Sequence, residues 1–179
     1  PEDRSLTERC IQFGGAAAPI LPEPYNSNYQ IVQTPDHIAI LAEAGYALRI
    51  ISLVRDEHYP ERVEQWFGDS IGFWDGDTLV VTTSNIKYEE YQGYFGVFYN
   101  ALVDENLEIT ERFTRIDSET ISYQARIEDP TIFTAPWTIE LCLTPQEGPI
   151  LEYACHEGNI GLSNILSGAR FEESQSNQQ

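Results

Sequence analysis

Basic residues are scarce in this chain: 10 lysines and arginines stand against 29 aspartates and glutamates, which gives a formal net charge of −19. Such a surface repels phosphate groups, so the composition argues against nucleic acid as a partner and against an anionic membrane surface. No apolar run approaches the roughly 18 residues that a membrane-spanning helix needs, so membrane insertion is not expected. The acidity fits solubility in a salty or extracellular medium, or attraction of a cationic ligand.

Methionine is absent, and only three cysteines occur: Cys10, Cys142 and Cys155. We therefore expect a processed, exported protein, secreted or periplasmic, whose signal peptide is not part of this sequence. No cysteine pair has zinc-type spacing, so no metal site is predicted. An exported domain favours one disulfide and one buried thiol. We favour Cys10–Cys155, which would tie the N-terminal segment to the end of a strand, and three free buried thiols are the alternative.

Several catalytic and cofactor motifs are also missing. The chain has no nucleophile elbow, no phosphate-binding loop, no dinucleotide-binding glycine motif and no paired histidines at metal-binding spacing. No cofactor is therefore expected. The acidic pairs Asp75/Asp77 and Glu128/Asp129 resemble glycosidase carboxylates only in type, because the first brackets a turn and the second precedes a proline.

Length and periodicity predict one β domain over residues 1–171. Residues 1–28 hold four prolines and a glycine–alanine run, and we predict an irregular arm there. About nine segments with strand-like alternation follow, joined by short connections, so the predicted sheet is antiparallel. So many strands in a small domain must close to avoid bare edges. We predict a calycin- or lipocalin-like barrel, with a β-sandwich as the second choice.

Two hairpins and the C-terminus complete the prediction. Asp75-Gly76 lies between two β-rich runs and is a preferred pair for a two-residue turn in which both residues have positive φ. The last predicted hairpin joins Trp137–Leu143 to Pro149–Cys155. Little helix is expected beyond a short one over Ile160–Ala169, and residues 172–179 are predicted to form a disordered tail because they lack apolar anchors.

Residues 87–106 have no clean strand pattern, yet they hold many aromatic side chains, among them Tyr94 and Phe98. Long connections inside a compact domain are usually functional or disordered, and aromatic content argues against disorder. We predict a lid-like loop over the barrel mouth. Packing against the outer wall and a contact in a homodimer are the alternatives.

Distinctive blocks of sequence run along most of the chain. They are Glu8-Arg9-Cys10, Pro24–Ile31, Gly68-Asp69-Ser70, Gly76–Val81, Glu111–Arg115, Glu128-Asp129-Pro130, Pro136-Trp137-Thr138 and Glu152–Asn159. Together they resemble a widespread family of uncharacterised exported bacterial proteins. The resemblance implies export, and it favours the Cys10–Cys155 pair because both cysteines lie in such blocks and Cys142 does not. It implies no reaction, because the family as a whole has no established activity.

Ionisable residues on apolar strand faces are the first candidates for a site. Arg49, Glu111 and Glu43 each alternate with apolar residues, so we expect all three to point into the barrel. A buried charge needs a partner, and Arg49 could pair with Glu111 or with Glu43. A structural salt bridge and a ligand-orienting pair are both open.

His156 is the best catalytic candidate from the sequence. It follows a predicted strand and precedes a predicted rim turn, and a histidine titrates near neutral pH, which suits proton transfer. Polar and aromatic side chains near the strand ends and in the aromatic loop are predicted to contact the ligand. These predicted substrate-binding residues are Tyr25, Asn26, Asn28, Tyr29, Glu43, Glu157, Asn159, Tyr94 and Phe98.

The leading hypothesis is a cofactor-independent enzyme that acts on a small organic molecule inside the barrel. The chemistry would be proton transfer, as in a lyase, isomerase or cyclase, with His156 as acid or base and Arg49 and Glu111 positioning the substrate. The alternative is a non-catalytic carrier of a small apolar or aromatic ligand in the same pocket. Both hypotheses require a hollow barrel.

Overall fold

The computed structural model describes residues 10, 17–22, 27–87 and 105–176. The regular elements are eight strands and one α-helix. They are β1 (Tyr29–Gln33), β2 (His37–Ala42), β3 (Leu48–Ser52), β4 (Asp69–Asp75), β5 (Thr78–Ser84), β6 (Glu108–Arg115), β7 (Ile121–Glu128), β8 (Trp137–Leu143) and α1 (Gly161–Ser176).

The eight strands form one sheet in the order of the chain. Six of the seven neighbouring pairs are antiparallel, and β3 and β4 run parallel through the pairs Ile51–Ser70 and Ser52–Ile71. A parallel pair needs a long crossover, which residues 53–68 supply. The β-rich fold is therefore confirmed, and the prediction of a purely antiparallel sheet is wrong.

The sheet curls into a half-barrel in which β1 and β8 are the outermost of the described strands. The predicted ninth strand, Pro149–Cys155, is not a strand. Its Leu151 N–H donates to the Glu43 carboxylate at 3.3 Å, so this segment crosses towards the end of β2 instead of pairing back on β8. A closed barrel of nine strands is therefore not confirmed.

The hairpin of β4 and β5 forms where the sequence predicts it. Its register pairs Asp75 with Thr78, so the two turn residues are Gly76 and Asp77 rather than Asp75 and Gly76. Gly76 has a φ of +61°, which glycine tolerates because it lacks a Cβ. Only one residue of this turn needs the left-handed conformation.

The core lies on the concave face of the half-barrel. Alternate residues of β2 to β7 point inwards, and residues 17–21 of the predicted N-terminal arm are buried with them. The fully buried side chains include Ile20, Ile51, Val81, Ile109, Tyr123 and Ile127. The arm therefore contributes to the core, and described side chains occupy the region where the sequence predicts a hollow.

One disulfide joins Cys10 to Cys155, as predicted, across a sequence separation of 145 residues. Cys142 is free and exposed on β8, so the prediction of a buried third thiol is wrong. Helix α1 continues to Ser176, so residues 172–176 are helical rather than part of a disordered tail. No helix in the described part of the chain is long and apolar enough to span a membrane.

Candidate functional site

Arg49 and Glu111 form the ion pair that the sequence suggests. The guanidinium Nη1 lies 2.7 Å from Glu111 Oε2, and Nη2 lies 3.0 Å from Oε1, so two parallel hydrogen bonds join the groups. The side chains are 1% and 0% exposed. A two-pronged contact of this kind suits the planar guanidinium and compensates both buried charges.

Tyr123 extends this pair into a buried network. Its hydroxyl donates to Glu111 Oε1 at 2.8 Å and accepts the Ile20 N–H at 2.7 Å. Burial, and then the neighbouring Glu111 carboxylate, raise the pKa of Tyr123 well above its ordinary value. The phenol therefore stays protonated and keeps donating to Glu111 at alkaline pH.

The network lies inside the core, and none of the three surface clefts described below contains Glu111. Arg49 borders a cleft of about 510 Å³ beside Leu48 and Trp66, but its charged group points to Glu111 in the interior. Because both charged groups are buried, we interpret the pair as a structural salt bridge rather than as a ligand-orienting pair.

Asn28 and Glu43 also come together, away from Arg49. Asn28 Nδ2 donates to Glu43 Oε2 at 3.1 Å, and the same oxygen accepts the Leu151 N–H. Glu43 is 4% exposed, so its carboxylate is committed to holding these segments together. Asn28 and Tyr29 border a second cleft of about 760 Å³, which also exposes Cys142.

His156 and Glu157 lie in an exposed turn after the disulfide, and neither borders any of the three clefts. Asn159 has a local role: its Oδ1 accepts the Gly161 N–H at 3.1 Å at the start of α1. The structure does not bring His156 to Arg49 or Glu111, because the segment that carries it is not a strand of the sheet. Tyr25, Asn26, Tyr94 and Phe98, with most of the predicted lid 87–106, lie outside the described residues.

A second polar cluster, which the sequence reasoning missed, is built around Asp69 at the start of β4. His58 Nδ1 lies 3.1 Å from Asp69 Oδ2, and His58 Nε2 lies 3.0 Å from Thr82 Oγ1. Arg55 donates to both Asp69 oxygens, at 2.6 and 3.1 Å, and the Tyr59 N–H donates at 2.9 Å. The Arg55 guanidinium also stacks 4.1 Å above the Tyr59 ring. We call Arg55, His58, Asp69 and Thr82 the Asp69 cluster.

Gly68 allows the chain to enter this cluster. Its φ is +73°, and an added Cβ would lie 2.6 Å from Thr83 Cγ2 and 2.8 Å from the Ser84 carbonyl oxygen. Glycine is therefore required at this position. The chain can then bring Asp69 onto the outer face of the sheet, where β4 pairs with β5 and the crossover loop covers it.

Two opposing effects set the ionisation of Asp69. Burial raises the pKa of its carboxyl, but the hydrogen bonds from Arg55, Tyr59 and His58 together lower it further, so the net pKa lies below the ordinary value. Asp69 is therefore ionised at neutral pH. An ionised carboxylate can only accept, so His58 Nδ1 must carry a proton, and in the neutral ring Nε2 accepts from the Thr82 hydroxyl.

The lowered pKa predicts a pH dependence of stability. Above the pKa of an unfolded aspartate, about 3.9, the ionised cluster stabilises the fold, and this contribution disappears as pH falls through the lower folded-state pKa. Urea unfolding of the wild type and Asp69→Asn at pH 7 and pH 3 measures it. We expect the stability advantage of the wild type over the variant to shrink at pH 3. An equal difference at both pH values would contradict the assignment.

His58 also borders the largest cleft described, of about 910 Å³. We call it the acidic cleft, because no lysine or arginine is among the described residues that line it. Its acidic residues are Glu61, Glu64, Glu105, Glu108, Glu128 and Asp129. Glu108 and Glu128 face each other directly across β6 and β7, an arrangement of like charges that costs stability.

Two of the acidic groups of the cleft, Asp129 and Glu128, have defined partners. The Asp129 carboxylate accepts the N–H groups of Thr131 and Ile132, so it organises the turn after β7. Arg126 pairs with Glu128 on the outer face. No group of three or more potential metal ligands occurs among the described residues. The groups placed for chemistry here are therefore His58 and its hydrogen-bond partners.

No regular spacing in the sequence points to the Asp69 cluster. His58 and Asp69 are 11 residues apart, and Thr82 is 24 residues from His58. The available signals were weak: a histidine in a loop with one proline, and an aspartate after Gly68 at the start of a strand. The contact depends on the crossover loop folding back over β4 and β5.

Comparison with protein-family models, with curated protein sequences and with solved structures finds no match for this chain. The resemblance to exported bacterial proteins therefore stays a prediction. Function has to be argued from the geometry of the acidic cleft and the Asp69 cluster.

Proposed function

We propose that this protein is a cofactor-independent enzyme that transfers a proton on a small organic molecule bound in the acidic cleft. His58 is the proton acceptor, and the Thr82 hydroxyl orients its ring. The observation that carries the proposal is that His58 lines the largest described cleft while its two ring nitrogens are held by Asp69 and Thr82, which lie behind it. The chemistry is that of a lyase, isomerase or cyclase, as the sequence hypothesis has it.

The order of these bonds suits base catalysis. Asp69 holds the proton on Nδ1, which leaves the lone pair on Nε2 to accept one. When the substrate displaces the Thr82 hydroxyl from Nε2, that nitrogen takes a proton from the substrate, and the imidazolium that forms is stabilised by Asp69. Arg55 fixes the Asp69 carboxylate with two hydrogen bonds, so the imidazole keeps its orientation.

The charge of the cleft restricts the substrate. Six carboxylic residues and no described lysine or arginine line it, so an anionic substrate would be repelled. A neutral or positively charged molecule is favoured. This assignment replaces His156, which is exposed and borders none of the described clefts, as the catalytic base.

Export is part of the proposal. The Cys10–Cys155 disulfide supports a secreted or periplasmic location, because structural disulfides persist in oxidising compartments. The alternative function, a non-catalytic carrier of a small apolar or aromatic ligand, would use a cleft without turnover. The buried interior of the half-barrel gives such a ligand less room than the sequence hypothesis required.

Base-promoted ring opening of 5-nitrobenzisoxazole tests the proposal. This neutral aromatic compound needs only removal of one proton, and its phenolate product is coloured. We expect the wild type to accelerate the reaction above buffer, and His58→Gln to lose at least about 100-fold of that rate, in line with the contribution of a positioned base. Thr82→Val should lose less than His58→Gln, because it keeps the base and removes only the hydroxyl that orients the ring.

His156→Gln is the matched control, since it removes an exposed histidine outside the clefts. It should keep the wild-type rate, and circular dichroism should show all variants folded. Equal rates for wild type and His58→Gln would contradict the proposal. Retained binding of the compound with no turnover in any variant would favour the carrier instead.

A further inference from the structure

We propose that the substrate of the acidic cleft carries a planar aromatic ring, which stacks on the Tyr59 side chain beside His58. The inference rests on the proposed function, because it names the class of substrate for the same cleft. Tyr59 follows His58 in the chain, and both residues line the cleft. Tyr59 therefore selects which molecules reach the proposed base, and it is a binding residue rather than a catalytic one.

The Tyr59 side chain is exposed, although the backbone that carries it is held on both sides. Its N–H donates to Asp69 Oδ2 at 2.9 Å, and its carbonyl oxygen accepts a hydrogen bond from Asn85 Nδ2 at 2.8 Å. The residue is nevertheless 47% exposed. A ring that is already fixed in place loses little conformational freedom when a ligand covers it, and this favours binding.

Arg55 occupies one face of the Tyr59 ring, with its guanidinium carbon 4.1 Å from the ring centroid. The same guanidinium donates to both oxygens of Asp69, so its position above the ring is fixed. A ring with a cation on one face attracts a second cation less, whereas a neutral aromatic ring stacks on the other face in an offset arrangement. A neutral aromatic ring is therefore the group that suits this side chain.

Apolar side chains give the same ring a second surface to contact. Ile86 and Leu107 line the cleft and are only 4% and 2% exposed, so they form part of its floor. Phe133 lines it too, and its ring packs edge-on against Trp137 with 5.6 Å between the centroids. Apolar walls with a few polar groups at defined positions are typical of sites for small organic molecules.

A purely structural role for Tyr59 gives a different result from stacking. In that role the ring would only support Arg55, and its loss would disturb the Asp69 cluster and weaken all ligands of the cleft alike. Stacking on Tyr59 predicts a loss of affinity that is confined to ligands with a planar ring. Two ligands that differ only in the ring therefore separate the two roles.

Binding of benzamide and of cyclohexanecarboxamide to the full chain tests the inference. Both compounds are neutral and carry the same amide, but only benzamide has a planar ring. We expect the wild type to bind benzamide about three- to tenfold more tightly, which is the size of an aromatic stacking contribution. Tyr59→Leu should lose this preference, and Tyr59→Phe should retain it because it keeps the ring. Titration followed by the NMR signals of each compound gives the dissociation constants.

Phe73→Leu is the matched control, because Phe73 is an aromatic residue, 60% exposed, that borders none of the three described clefts. It should keep the wild-type preference for benzamide, and circular dichroism should show that every variant is folded. Equal affinity of the wild type for the two amides, or a preference that survives in Tyr59→Leu, would overturn the inference.

Turnover of 5-nitrobenzisoxazole separates this inference from the proposed function. Tyr59→Leu should raise KM by about three- to tenfold and change kcat less, whereas His58→Gln should lower kcat. A preference for benzamide that depends on Tyr59, without turnover in any variant, would contradict the enzyme and support Tyr59 as the stacking residue of a carrier. Turnover that depends on His58, without a preference for benzamide, would support the enzyme and contradict stacking on Tyr59.

Discussion

Glu111→Gln is expected to destabilise the fold by about 3–5 kcal/mol, because it removes the charge that pairs with the buried Arg49 guanidinium. Both side chains are almost inaccessible to water, and two hydrogen bonds join them. The variant also weakens the acceptor of the Tyr123 hydroxyl. The free energy of unfolding in urea measures the effect. This is one of the two largest effects expected from a single site in the chain.

Two further variants isolate the cause. Arg112 and Asp75 form a pair of similar type on the surface, where Arg112→Gln should cost no more than about 1 kcal/mol. Replacing both buried partners, as in Arg49→Met with Glu111→Leu, should recover much of the lost stability, because no buried charge remains. If Glu111→Gln costs no more than Arg112→Gln, the pair is not the stabilising element of this core.

Removing the disulfide is expected to cost about 4–5 kcal/mol, since the bond closes a very long loop and restricts the unfolded chain. The bond joins Cys10 to Cys155 over a separation of 145 residues. The variant is Cys10→Ser with Cys155→Ser, which leaves no thiol free to mispair at this site. Its unfolding by urea is compared with that of the oxidised wild type.

Cys142→Ser is the control, because Cys142 is exposed and makes no disulfide. It should unfold like the wild type, and a reducing agent should then lower the stability of both proteins to that of the double serine variant. If a reducing agent leaves the wild type as stable as before, the bond does not stabilise the fold. The comparison also shows whether the N-terminal arm needs its covalent link to stay in the core.

The Arg49–Glu111 pair and the Asp69 cluster have different roles. The Arg49–Glu111 pair is sealed in the core, where a substrate has no access, and we assign it to stability. The Asp69 cluster lies at a cleft, with His58 about a quarter exposed. The sequence analysis selected Arg49 and Glu111 as a candidate site because ionisable residues on an apolar strand face are rare. The alternation of residues along a strand does not show how deeply a side chain is buried. The burial seen in the structure indicates a structural role for the Arg49–Glu111 pair.

Local sequence patterns were sufficient to predict several strands and one hairpin. Alternation with apolar residues predicted that Glu111 points inwards, since a strand presents alternate residues to one face, and the pairing of β6 with β7 brings Tyr123 to the same side. A turn glycine between β-rich runs predicted the hairpin of β4 and β5. The predicted last hairpin did not form, because Leu151 found a partner in Glu43, which is distant in sequence.

The sequence alone determined the β-rich class, most strand positions and the acidic composition, because periodicity and residue type carry that information locally; it favoured the Cys10–Cys155 pair, which the structure then confirmed. Only the tertiary structure decided that the sheet stays open, that β3 and β4 run parallel, and that His58 meets Asp69 and Thr82. Those outcomes depend on how the crossover loop packs over the outer face of the sheet. Contacts between residues far apart in the chain are set by the whole fold, and no short pattern encodes them.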